Sequence, residues 1–177
     1  VETDQGRERA HAVVIAAGAW TSQLLPELAP LLEVTRQVQA WIAPTEGIDA
    51  SPMPCWLFDR GPGQPAIYGL APDPEAPAGA DGKPTPSRSP KVAFHGSDAV
   101  VDPDLGAAPV ASADVDRLIE CYRSIAPGLA GAPVTAATCL YTMTPDGHFL
   151  VGTRRGLRRT HFAAGLSGHG FKLSPAV

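Results

Sequence analysis

The sequence predicts an α/β chain with an α+β part, on three observations. An apolar run at residues 12–17 (AVVIAA) is cut by Gly18 and followed by helical spacing, the strand–turn–helix order of α/β proteins. Several short β-rich segments follow, separated by Pro and Gly, and a hairpin signal lies near the end. One amphipathic helix stands between them. The first strand is all apolar, as in parallel sheets buried on both faces.

The remaining elements follow in order. Residues 19–28 carry Trp20, Leu24, Leu25 and Leu28 at helical steps, with Pro26 as a weak point. Residues 34–43 read as a strand, and 53–59 and 65–70 as two shorter ones. Residues 71–90 are a run of Pro, Ala, Gly and Asp without periodicity, hence a loop. Residues 91–95 (KVAFH) alternate as an edge or half-buried strand does. In Ser112–Ile125, Val115, Leu118, Ile119 and Tyr122 fall on one helical face. Ser112 is the expected N-cap, Asp114 and Asp116 suit the first turn, and Pro127-Gly128 ends the helix. Residues 133–144 and 148–152 predict a hairpin around Pro145-Asp146-Gly147. A last strand at 161–164 enters the glycine loop 165–170, after which a helix begins.

Composition narrows the function classes. The chain has 177 residues, 44% apolar and 18% charged, which suits a folded chain with a sizeable core. No apolar run approaches the ~20 residues of a membrane span, and no signal peptide is visible, so a cytoplasmic location is expected. A net charge of −4 with scattered basic residues argues against nucleic acid as a partner. Gly (18) and Pro (19) make up about a fifth of the residues, favouring many turns. Cys55, Cys121 and Cys139 form no CxxC pair, so neither a zinc site nor a disulfide framework is expected. The chain opens on Val and ends where a helix starts, and it reads as a piece of something longer.

Taken singly, the candidate site residues each fit an ordinary role. Gly18 lets a backbone approach a ligand, or simply turns the chain. Lys91 and His95, four apart on a strand, share one face, as do Cys139 and Tyr141. Gly165, Gly168 and Gly170 surround His169, with Lys172 just beyond; backbone N–H groups there could hold an anion.

Together they are more specific. Ala-Ala-Gly-Ala-Trp, Arg36-Gln37-Val38, Lys91-x-x-x-His95, Cys139-Leu-Tyr141-Thr, Thr144-Pro-Asp-Gly-His-Phe and Gly165-Leu-Ser-Gly-His-Gly-Phe-Lys172 occur in this order. The series resembles the monomeric sarcosine oxidase and N-methyltryptophan oxidase branch of the FAD-dependent amine oxidases, within the D-amino acid oxidase-like superfamily. The resemblance covers nearly the whole chain.

It implies a C-terminal fragment of a glutathione-reductase-type FAD-binding domain plus an antiparallel-sheet substrate domain. Residues 1–35 would end the FAD-binding domain, 36–135 would form the substrate domain, and 136–177 would return to the flavin. The reaction implied is oxidation of a secondary amino acid by O2 to an imine and hydrogen peroxide. Cys139 would carry FAD covalently through a thioether, and Gly18, Gly168, His169 and Gly170 would bind the cofactor. Lys91 would assist oxygen reduction and His95 would line the amine side. Lys172 would pair with the substrate carboxylate, while Tyr141 and Tyr68 line the pocket. Cys55 and Cys121 match no motif and are expected to be packing residues.

The chain lacks the Gly-x-Gly-x-x-Gly segment and the N-terminal arginine of that family, so the fragment alone is expected to be inactive. Its 71–90 loop is longer and richer in proline than the family's. A related flavin-dependent dehydrogenase, a glycine-oxidase-like enzyme, and a non-enzymatic fragment without flavin are the alternatives. A cysteine hydrolase using Cys139 with His148 or His169 is more distant.

Overall fold

The computed structural model describes residues 1–77, 79, 84–96, 99–105 and 108–177. In chain order the strands are β1 (Glu2–Thr3), β2 (Gly6–Arg7), β3 (Val13–Ile15), β4 (Glu33–Ile42), β5 (Trp56–Phe58), β6 (Ala66–Leu70), β7 (Lys91–His95), β8 (Pro133–Met143), β9 (Leu150–Thr153) and β10 (Thr160–Ala164). The α-helices are α1 (Thr21–Leu24), α2 (Ser112–Ile125) and α3 (Gly170–Leu173). The chain divides into two compact units, one of Thr35–Leu140 and one of Val1–Val34 with Tyr141–Val177.

The Thr35–Leu140 unit is built on a five-stranded sheet in the order β5-β6-β7-β4-β8. The pairs β5/β6, β6/β7 and β7/β4 are antiparallel. Strand β7 is therefore interior rather than an edge, with Val92 and Ala93 buried. On one sheet face Ala40, Ile42, Ile67 and Val92 pack with Leu118, Ile119 and Tyr122 of α2 and with Ala130. Each fully buried large apolar side chain there stabilises the unit by about 1.5–3 kcal/mol. Trp56 lies across Gly69 of the neighbouring strand, where any Cβ would strike the indole, and stacks on Tyr122 at 5.7 Å.

The helix α2 has the expected span, but its cap differs. Ala111 is the N-cap residue and Ser112 is the first helical one. No side chain at Ala111 caps the first turn; Asp114, at the third helical position, reaches back and accepts the Ala111 N–H at 3.3 Å. The same carboxylate is gripped by both terminal nitrogens of Arg36 at 3.1 Å, which ties the start of α2 to β4.

Of the expected 71–90 loop, residues 78 and 80–83 lie outside the described residues. The rest contains one short 3-10 turn, Pro86–Arg88. Cys121 packs against the core, whereas Cys55 is exposed, so it is not the packing residue that was expected.

The second unit holds a three-stranded sheet in the order β3-β10-β9, with β3/β10 parallel and β10/β9 antiparallel. This corrects the expected hairpin. The turn at Pro145-Asp146-Gly147 forms, with Gly147 at φ +70 and its N–H donating to Thr144 O. Yet the strands on either side of it join different sheets: β8 pairs with β4, and β9 with β10. Nor is β3 buried on both faces, since Val14 is 71% exposed at the sheet edge.

The helix expected over residues 19–28 is broken. A 3-10 turn (Gly18–Trp20), the single turn of α1 and a second 3-10 segment (Pro26–Leu31) replace it. Proline lacks the N–H of the helical ladder and pushes the preceding residue out of the helical region. Leu25, before Pro26, sits accordingly at φ −131, ψ 74. Among the described residues no helix is long and apolar enough to cross a membrane.

Candidate active site

The sheet of the Thr35–Leu140 unit has a second face, opposite α2, and strand register decides what it carries. Trp41 lies beside Lys91, and Lys91 beside Leu70. Gln39 lies beside Ala93, Ala93 beside Tyr68, and Tyr68 beside Leu57. Because side chains alternate, Lys91, Ala93 and His95 of β7 share this face with Tyr68, Leu70, Gln39, Trp41 and Leu57. On β8, Ala136 packs with the core on the α2 side, so Cys139, three residues on, belongs to the opposite face with Lys91.

Contacts on this face are specific. The Tyr68 and His95 rings meet edge-on at 6.3 Å. The Lys91 Nζ stands 5.6 Å from the centroid of the Trp41 ring. Burial pushes the Cys139 thiol above its ordinary range, and the Lys91 ammonium draws it part of the way back. Lys91 and Cys139 stand on strands β7 and β8, with β4 between them. Aromatic rings, an amide, a cation and a thiol on one sheet face suit a flat, redox-active ring with polar edges.

The other unit holds the glycine loop, and its geometry is tightly determined. Gly165 (φ +55) and Gly168 (φ +76) adopt left-handed conformations. A Cβ on Gly168 would overlap the Tyr141 ring, and one on Gly170 would come within 2.5 Å of Leu166. Tyr141 is half-buried, so this site tyrosine packs directly on the loop.

Ser167 also has positive φ (+46), the only non-glycine among the described residues to do so. It is buried, donates its hydroxyl to Gly165 O at 3.1 Å and gives its N–H to Thr142 O at 3.0 Å. Its carbonyl lies 2.8 Å from Nδ1 of His169, whose ring packs 4.9 Å from that of Phe149. Strain of this kind, about 1–3 kcal/mol per residue, is held only where the surroundings over-determine it.

Lys172 is exposed in the single turn of α3 and, among the described residues, has no carboxylate partner. Gly18 sits at φ +52 with open space where a Cβ would project, and its carbonyl accepts the Thr21 hydroxyl at 2.8 Å.

With the geometry in place, comparison with known proteins is direct. The model of the FAD-dependent oxidoreductase (DAO) family matches residues 1–177. The chain belongs to this family. It is 31% identical to the monomeric sarcosine oxidase of Streptomyces avermitilis and 34% identical to the peroxisomal sarcosine oxidase of Mus musculus. It is also 30% identical to the N-methyl-L-tryptophan oxidase of Citrobacter koseri. Each alignment takes in 100% of this chain but only 44% of the relative's length.

Solved structures agree on the fold. The fructosyl peptide oxidase of E. terrenum superposes with a TM-score of 0.70 over 99% of this chain and 42% of that one, at 19% identity. The iminodiacetate oxidase of Chelativorans sp. BNC1 gives 0.68 over the same shares, at 20% identity.

Three residues of this DAO-family chain carry no motif of their own in the sequence: Trp41, Gln39 and Ser167. Trp41 and Gln39 stand on the Lys91 face because residues 34–43 alternate, a signal present in the strand pattern. Ser167 had no such signal, since a serine in a left-handed conformation leaves no trace in the sequence.

Proposed function

We propose that the chain is the substrate-sheet and flavin-attachment segment of an FAD-dependent oxidase. The enzyme would oxidise the C–N bond of an N-alkyl amino acid with O2, giving an imine and hydrogen peroxide. The observation that carries this reading is the sheet face opposite α2, on which strand alternation places Lys91, His95, Tyr68 and Cys139 together. The match of the family model and the sarcosine and N-methyltryptophan oxidase relatives support it.

The donor set fits FAD: a thiol able to form a thioether and a cation on the same sheet face. Bound FAD would accept a hydride from the carbon next to nitrogen and pass electrons to oxygen. The protein's residues do the rest. Cys139 would hold the cofactor by its sulfur, with Gly18, Gly168, His169 and Gly170 supporting it from the flavin-binding segments 1–35 and 136–177. The substrate domain would be 36–135.

Lys91 would stabilise the negative charge that develops as oxygen takes its first electron, an electrostatic role. His95, Tyr68 and Tyr141 would line the amine side, and Lys172 would receive the substrate carboxylate. A cation at Lys91 would disfavour a substrate ammonium and so favour the neutral amine whose lone pair expels the hydride. Covalent attachment fixes the cofactor while the protein tunes its surroundings.

The test is Lys91→Met in the full-length protein. Reoxidation of reduced flavin by oxygen should slow by orders of magnitude while anaerobic reduction by substrate changes much less. Equal losses in both half-reactions would contradict the oxygen role.

A further inference from the structure

The ammonium of Lys91 has an unusual partner. Among the described residues it pairs with no carboxylate. It stands instead 5.6 Å from the Trp41 ring centroid, within the range of a cation–π contact, and Trp41 is its direct neighbour across the β4/β7 ladder. The two kinds of partner differ in consequence. A carboxylate would fix the ammonium but cancel its charge toward anything else nearby. An indole face fixes it through the ring quadrupole and leaves the full positive charge available. A lysine side chain is long and flexible, so an unheld ammonium would spread over several positions on the sheet face. Trp41 itself is half-buried and anchored in the ten-residue strand β4, which makes it a firm support.

We propose that Trp41 is a positioning residue for the oxygen half-reaction: its indole face holds the Lys91 ammonium in place without neutralising it. This rests on the oxygen role proposed for Lys91. It also accounts for the alternation of β4, which sets Trp41 on the site face while Ala40 and Ile42 on either side are fully buried in the core.

The test uses the full-length holoenzyme with four variants: Lys91→Met, Trp41→Leu, Trp41→Phe and the double variant Lys91→Met/Trp41→Leu. Trp41→Leu is expected to slow flavin reoxidation by about three- to thirtyfold, the range set by losing one cation–π contact. Anaerobic reduction by substrate should stay within about twofold of wild type, since the contact acts through Lys91. Trp41→Phe, which keeps a weaker π face, should lose less, and it serves as the working variant should the leucine protein fail to fold. The double variant should be no slower than Lys91→Met alone, because a residue that acts through another contributes nothing once that other is gone.

A second readout is independent of turnover. With 13C-labelled lysine, the ε-methylene signal of Lys91, identified by its loss in Lys91→Met, should be shifted upfield by the indole ring current. It should return to the ordinary lysine position in Trp41→Leu. An unshifted signal in the wild type, or full additivity of the two losses, overturns the proposal. The outcomes also separate the two levels of inference. If Lys91→Met leaves reoxidation unchanged, the oxygen role fails and the positioning role falls with it. If Lys91→Met slows reoxidation but Trp41→Leu does not, only the role of Trp41 is overturned.

Discussion

Replacing Gly168 by alanine tests the glycine loop where its geometry is most demanding. Two costs arise, and they can be separated. The left-handed backbone at φ +76 disfavours any Cβ, by about 1–2 kcal/mol. The new methyl would also overlap the Tyr141 ring, and forcing an extra carbon into a packed site costs about 1–3 kcal/mol. Together they amount to roughly 2–5 kcal/mol.

Gly147 supplies the control. It has nearly the same backbone, φ +70, yet nothing lies within 4 Å of the position its Cβ would take. Gly147→Ala should therefore incur only the backbone cost. Urea unfolding of both variants, followed by far-UV circular dichroism, should place Gly168→Ala lower by about 1–3 kcal/mol. Adding Tyr141→Ala to Gly168→Ala should recover much of the excess, since the ring it strikes is gone. Equal losses at the two glycines, or no coupling with Tyr141, would refute the close packing of this loop on Tyr141.

Two further outcomes are expected. Lys172→Ala should weaken binding of an N-methyl amino acid by roughly ten- to a hundredfold, the loss of a charge-assisted contact, and leave a matched amine without carboxylate nearly unaffected. Equal small effects on both would assign Lys172 to solvent. Alkylation of Cys139, measured before flavin attachment in a Cys55→Ser/Cys121→Ser background, should be slow at neutral pH. Its rate should rise only above the ordinary thiol range, because burial favours the neutral thiol while the thiolate is the form that reacts. Lys91→Met removes a positive charge that favours the thiolate, so the rise should move to still higher pH; an unmoved profile would show that Lys91 does not influence the thiol.

Much of this structure is legible in the sequence where the cause is local. Alternation at Lys91–His95 gives a strand of that span, and the apolar steps of Ser112–Ile125 give α2. Pro145-Asp146-Gly147 turns as its residues require, with Asp146 accepting the His148 N–H at 3.0 Å. What local pattern cannot decide is which strands pair. Proximity along the chain favours a β8–β9 hairpin, but β8 is bound to β4 and β9 to β10, pairings set by long-range packing.

The break of the first helix was foreshadowed by Pro26, although Pro30 extends it further into a 3-10 segment. The site shows the same division. Parity along β7 and along β8 places Lys91 with His95 and Cys139 with Tyr141, whereas the presence of β7 and β8 in one sheet, on either side of β4, depends on strand order. Trp41 was visible as a strand residue, but its contact with Lys91 depends on the β4/β7 register, which the sequence does not display.

The most direct measurement concerns Cys139 and the flavin. The full-length protein is to be precipitated with acid, washed and digested, and the flavin-bearing peptide sequenced. The expected result is yellow colour retained in the pellet and flavin on the peptide that contains Cys139, with Cys139→Ser releasing it to the supernatant. Flavin found wholly in the supernatant of the wild type, or attached at Cys55 or Cys121, would contradict the assignment of this sheet face as the flavin site.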